Sequence, residues 1–309
     1  MHIAISILSI YAFILLGFMA KRMLKEQLNE KGMVLLTIYF LQPILSFWGL
    51  SSRPIDFHLM QVPLLYIAVC LVCVVASGSV AYFFFKDAKD KSIVTISAII
   101  GNTSNLGIPL GIALFGDESI IYTSLLTVAN VFVVYTLGVF IYSRGNSSMK
   151  ESLLNVVKLP VIWFAFLALI FNVLEIKVTP SILRSLEIGA YTSMGMQLLT
   201  FGMYIYNMKL KSINYQLLLH VSLLKFLITP LIAGFMLFIL FPLSPIASGL
   251  IFLQIIVPLA VTNINLAALY DCKPLDVTVL VFFTSLLFIP FLIAISYLLQ
   301  YFNIVSFPS

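Results

Sequence analysis

The chain has 309 residues, 61% of them hydrophobic and 9% charged, with a mean hydropathy of +1.11 and a net charge of +5. A soluble domain carries roughly 25% charged residues, so the solvent for most of this surface is lipid. The seventeen Lys and Arg are scattered in short loops between apolar runs, a pattern that speaks for membrane orientation and against nucleic-acid binding.

Met1 and His2 alone precede the first apolar run, and Lys21, Arg22 and Lys25 follow it. A cleavable signal has its cations first, so this run is expected to be a retained helix. A spanning helix needs about 20 apolar residues. The sequence predicts an all-α integral membrane protein with ten such segments, at 3–20, 32–50, 62–85, 92–115, 119–142, 153–174, 182–206, 213–240, 246–269 and 275–301. Loops and flanks after odd-numbered segments hold thirteen Lys and Arg; those after even-numbered segments hold Arg53, Lys177 and Arg184. Positive loops stay inside, which predicts both termini on the extracytoplasmic side.

The charged connection around Arg144 to Lys158 divides the chain into residues 1–150 and 151–309, five segments each. An odd number of spans sends the second half in from the opposite side, so two homologous halves would form an inverted repeat. The pair Ala113-Leu114-Phe115 and Ala268-Leu269-Tyr270 is a short internal echo.

The fourth segment contains Gly101-Asn102-Thr103-Ser104-Asn105-Leu106-Gly107-Ile108-Pro109-Leu110-Gly111. Pro109 lacks an N–H and leaves the Asn105 carbonyl without its helical partner. Backbone groups freed at membrane depth must find protein, water or ligand. The ninth segment answers with Gln254, Pro258, Thr262, Asn263 and Asn265. Two interrupted segments in matching halves point to a transport site, whose half-helix N-termini suit a carboxylate. The candidate substrate-binding residues are Asn102, Thr103, Ser104, Asn105, Gly107, Pro109, Pro258, Thr262, Asn263, Asn265 and Lys225. The alternative for each polar side chain is packing between helices. Lys225, inside the eighth segment, either pairs with substrate or snorkels to the cytoplasmic face. Asn130 and Gln42 are further candidates, expected rather to cap or bond neighbouring backbone.

The twelve Asp and Glu lie in loops or near segment ends, so proton coupling has no buried carboxylate. His2, His58 and His220 are dispersed, and no metal cluster is expected. Cys70, Cys73 and Cys272 lie in or beside apolar runs, which argues against a disulfide framework. Cys70 and Cys73 read as small apolar residues on one helix face. No phosphate-binding loop or hydrolase elbow is present, so no enzyme activity is expected.

The run from Gly101 to Gly111 resembles the fourth-helix motif of the bacterial auxin efflux carrier family, relatives of the PIN-type auxin carriers. The run from Val257 to Asn263, with Leu266, Ala267 and Tyr270, resembles that family's ninth-helix motif. Tyr39-Phe40-Leu41-Gln42-Pro43 and Lys225 ahead of Pro230 are similar too. The likeness covers essentially the whole chain, without the long central loop of the plant type. It implies two inverted five-helix repeats whose broken fourth and ninth helices cross at the substrate site. It also implies a homodimer and a small organic anion as substrate, a mono- or dicarboxylate such as malate, malonate or an indole-acetate-like acid. Asn102, Asn105, Pro109 and Pro258 carry over most directly, Asn263 less so; Ser104 stands where many relatives have glycine.

The function expected is a permease or efflux carrier of the cell membrane working by alternating access, without a cofactor. Coupling to sodium, protons or membrane potential is open. The alternatives are a sodium-coupled symporter of the bile-acid type and, at lower weight, a membrane-embedded sensor or enzyme.

Overall fold

The computed structural model describes the backbone of residues 2–51, 59–116, 118–208 and 213–301, and within these all side chains except those of residues 2–11, 105, 109 and 295–301. Arg53, His58, Lys209 and Lys211 therefore lie outside the described residues. So do the side chains of His2, Asn105 and Pro109.

The chain begins with α1 (His2–Leu24), α2 (Glu30–Ser51) and α3 (Gln61–Phe84). It then breaks. Helix α4 (Ala88–Ile96) ends, residues 97–102 are irregular, and a π turn (Thr103–Gly107) leads into α5 (Ile108–Phe115). Next come α6 (Ser119–Arg144), α7 (Met149–Lys158), α8 (Pro160–Val173), α9 (Pro180–Asn207) and α10 (Tyr215–Leu240). A second break separates α11 (Pro245–Ile256) from α12 (Thr262–Leu269), and α13 (Pro274–Tyr301) follows.

The protein is all-helical among the described residues. Among the described residues five helices, α2, α3, α6, α10 and α13, are long and apolar enough to cross a membrane, or six spans if α7 and α8 count as one. These two correct the predicted uninterrupted segment 153–174, since they meet at 53°. The cause is Pro160, which opens α8 and holds Leu159 extended at φ −77° and ψ 123°.

Helix starts follow local chemistry. Asn29, Asp87, Ser148, Asn214 and Ser244 each accept a hydrogen bond from the N–H three residues on. Prolines act further in. Pro43, Pro109, Pro230 and Pro242 each follow a π turn by two residues. In every case the residue before the proline donates to the carbonyl five back: Gln42 to Thr37, Ile108 to Thr103, Thr229 to Leu224, Phe241 to Met236. A proline cannot donate to the carbonyl four back, and its ring crowds that carbonyl. The turn widens, and the N–H before the proline keeps a partner within the helix.

Lipid tails are as apolar as leucine, so close packing rather than water exclusion holds the helices together. Helices α1 and α9 touch through glycines. A Cβ on Gly17 would collide with the Leu199 backbone, and one on Gly202 with the Ile14 carbonyl. Helices α2 and α8 meet through Phe47, Leu50, Ala165 and Ala168, with Phe171 edge-on to Phe47 at 5.4 Å. Outward-facing Phe83, Leu231 and Ile239 are well exposed, as lipid-facing side chains must be. At one rim Lys89 pairs with Asp271 (3.2 Å), and Lys273 with Asp90 (2.6 Å) and Asp87 (3.1 Å). These pairs join the start of α4 to the turn after α12.

Candidate transport site at the crossing of two broken helices

The two breaks lie against each other. Gly101 and Leu259 form an isolated antiparallel bridge: Asn102 N–H donates to the Pro258 carbonyl (2.8 Å) and Ala260 N–H to the Ile100 carbonyl (3.0 Å). Pro258 lacks a donor but accepts here, so it costs the bridge nothing. Gly101 permits the approach; a Cβ there would stand 3.0 Å from Val257 Cγ2 and 3.3 Å from the Gln254 carbonyl. Each break thus satisfies backbone that helix and water cannot.

The polarity of the half-helices is ordered around this bridge. Helix α5 with its π turn, and α12, start at the breaks, so both N-termini face the crossing. Helices α4 and α11 end there. Lys225 sits at those C-termini, fully buried, with Nζ donating to the Ala98 carbonyl (2.9 Å) and the Ile255 carbonyl (2.8 Å). A cation suits helix C-termini and an anion helix N-termini. Lys225 therefore does not snorkel to the rim.

A cavity of about 410 Å³ opens on the N-terminal side of the crossing. Asn102, Thr103, Ser104 and Thr262 line it beside Ala260. Gln42, Gln197 and Asn130 add amides, while Trp48, Leu45, Leu50, Val128 and Val131 supply an apolar wall. No Asp, Glu, Lys, Arg or His is among the described residues of its lining.

The other described candidates, Gly107, Lys225, Pro258, Asn263 and Asn265, are not among the cavity's described lining residues. Asn263 is a clamp: its Nδ2 donates to the Ile100 carbonyl (2.9 Å) and the Ala260 carbonyl (3.1 Å), and its Oδ1 accepts from Tyr142 Oη (3.0 Å). Pro258 supplies the bridging carbonyl. Gly107 lies against the Gln254 amide, whose Oε1 and Nε2 are buried without a partner, as is Asn265 Oδ1. The two prolines are not equivalently placed. Pro258 lies inside its break, whereas Pro109 falls in the first turn of α5, after the π turn. The Asn105 and Pro109 side chains are outside the described residues.

Two further candidates, expected rather to bond neighbouring backbone, bond side chains on other helices. Asn130 donates to Thr103 Oγ1 (2.9 Å) and accepts from Tyr66 Oη (3.0 Å). Gln42 Oε1 accepts from Ser193 Oγ (3.3 Å) and Gln197 Nε2 (3.2 Å), and Gln197 Oε1 accepts from Thr262 Oγ1 (3.3 Å). Gln197, absent from the candidates, is a mid-helix amide in a membrane segment, a signal of the same kind as Asn130. Cys70, Cys73 and Cys272 are buried free thiols.

Comparison with known proteins identifies the class of protein that carries this fold. Residues 2–296 match the family described as membrane transport protein. An uncharacterized transporter of Methanocaldococcus jannaschii is 24% identical over 279 residues, covering 86% of this chain and 88% of its own. The chain belongs to the membrane transport protein family, the group of the auxin efflux carriers, and is a multi-pass membrane transporter.

Proposed function

We propose that the protein is a secondary transporter of the cell membrane that moves a small organic anion, a carboxylate, by alternating access at the helix crossing. One observation carries this reading: two half-helix N-termini converge on a cavity without a charged side chain among its described lining residues. Each N-terminus presents about half a positive charge, so the pair complements one carboxylate. Neutral donors hold an anion without trapping it, which a carrier needs. The apolar wall of Trp48, Leu45, Leu50 and Val131 favours a monocarboxylate with an apolar body over a dicarboxylate, whose second charge finds no partner.

The same reading assigns ten spans in two inverted repeats, residues 1–150 and 151–309. Three helical segments, one broken and one more occur in that order twice, with α7 as a prefix to the second set. The packing supports it by exchange: α1 packs on α9, and α8 on α2. The first helix of each half thus meets the second of the other. Both termini then lie on the extracytoplasmic side, with the ion-paired rim inside.

A sodium-coupled symporter is the competing reading. At the crossing, a bare cation would seek carbonyls such as those of Ala98 and Ile255, and the Lys225 ammonium already holds both. The test is uptake of a labelled indole carboxylate and a labelled dicarboxylate into proteoliposomes, with and without a sodium gradient. Asn102→Asp and Thr262→Ala serve as variants. Sodium-independent uptake of the monocarboxylate, lost in Asn102→Asp while the protein stays folded, is expected. Uptake that requires sodium would favour the symporter, and full uptake by both variants would remove the site from the crossing.

A further inference from the structure

We propose that α7 is an interfacial helix that lies along the bilayer surface and holds anionic lipid headgroups beside the ion-paired rim. Transport is not needed for this inference, which rests on three observations outside the crossing. First, α7 leaves the direction of α8 by 53°, and its start is fixed by a capping box between Ser148 and Glu151. It is therefore a built helix with its own direction, not the frayed end of a span.

Second, its faces are sorted. Ser152 and Val156 turn toward the protein. Met149, Leu153, Leu154 and Val157 are 61%, 57%, 46% and 52% exposed, a stripe at helical spacing. Glu151 and Lys158 stand on the opposite arc. Such a helix places its apolar stripe among acyl chains and its polar arc in water. The stripe continues into the outward-facing Trp163, Phe166 and Ile170 of α8, which a spanning helix shows to lipid and not to a soluble partner.

Third, the charge matches one kind of lipid. Arg144 and Lys150 stand at the N-terminal end of α7 and Lys158 at its C-terminal end, and neither lysine is in an ion pair among the described residues. One carboxylate, Glu151, which accepts from the Ser148 N–H at 2.8 Å, stands against these three cations and leaves the segment net positive. Trp163 anchors the bend, its Nε1–H donating to the Val157 carbonyl (2.7 Å) while its ring is 56% exposed. Indole at that depth marks the headgroup layer, and unpaired lysines there attract phosphatidylglycerol-type headgroups.

The experiment uses the full-length protein in nanodiscs, with one introduced cysteine carrying a bimane fluorophore. The three native cysteines are buried and react poorly. Leu153→Cys reports the apolar stripe and Asn155→Cys the polar side. Expected is at least two-fold stronger quenching of the Leu153 label by acyl-chain nitroxides than by aqueous iodide, with the order reversed at position 155. Nitroxide-labelled phosphatidylglycerol should quench the Leu153 label more than labelled phosphatidylcholine. The paired Lys150→Gln and Lys158→Gln substitutions should abolish that preference, and thermal unfolding checks that the variant is intact. Dominant iodide quenching at both positions would place α7 in water and overturn the proposal. So would equal quenching by the two lipids in the parent, or a preference that survives the lysine substitutions.

Discussion

The Lys225 ammonium lies 2.8 Å from the Ile255 carbonyl and 2.9 Å from the Ala98 carbonyl, joining the C-terminal ends of two broken helices that are distant in sequence. Its position is the electrostatic opposite of the cavity side, where the two N-termini converge. Lys225→Met keeps the length of the side chain and removes the charge, so both carbonyls lose a donor in a buried place. The expected loss is about 2–3 kcal/mol, read as a lower unfolding temperature in detergent, with Lys225→Arg retaining part of it. An unchanged unfolding temperature in Lys225→Met would mean the cation does not hold the crossing.

Gly101 and Gly107 are places where a methyl group does not fit. At Gly101 it would press on Val257 and the Gln254 carbonyl, and at Gly107 on the Gln254 amide. The Gln254 side chain can rotate away, whereas the carbonyl cannot. Gly101→Ala should therefore cost more than Gly107→Ala, by on the order of 1–3 kcal/mol. Measuring both unfolding temperatures side by side tests the ranking, and Gly107→Ala proving the worse variant would contradict it.

Asn130 couples the cavity to α3 through Thr103 on one side and Tyr66 on the other. Tyr66→Phe removes the donor to Asn130, together with the hydroxyl's contact with the Cys70 thiol, and leaves every described lining atom in place. A shift in the apparent KM for the transported substrate by about 3- to 10-fold is expected, equivalent to one neutral hydrogen bond. Identical uptake kinetics in parent and Tyr66→Phe would reduce Asn130 to a packing residue.

The rim titrates. The Asp90 N–H, together with Lys273, holds the Asp87 carboxyl below the usual carboxylate range. A carboxyl depressed in the folded state contributes stability above its unfolded value, near 3.9, and loses it as pH falls through the folded value. Unfolding temperature should thus drop on acidification from pH 7 through that window. Asp87→Asn should flatten the acid limb while leaving other pH effects intact. An acid limb unaltered by the substitution would assign it to other carboxylates.

The membrane class, the helical segments and the two polar interruptions were legible in the sequence because each rests on local composition. About 20 apolar residues cannot be anything but a span in a chain so poor in charge, and a Gly-Asn-Thr-Ser-Asn run interrupts such a span whatever surrounds it. The four proline-linked π turns follow from a missing N–H, a local fact, and the bend that segment 153–174 overlooked follows from the Pro160 ring, which holds Leu159 out of helical backbone. What the sequence left open is which polar groups face which. Asn263 and Asn102 belong to the same kind of motif, yet one is consumed by carbonyls and a tyrosine while the other lines the cavity. Lys225 could reach substrate or solvent by length alone. Only the antiparallel crossing at Gly101 and Leu259 decided that it would meet two helix C-termini instead. The reason is physical: in lipid every freed carbonyl and N–H must find a partner inside the protein. At the crossing the partners that sequence could not reveal, Pro258 for Asn102, Ile100 for Ala260 and Asn263, and Ala98 for Lys225, lie in the other half of the chain, more than a hundred residues away.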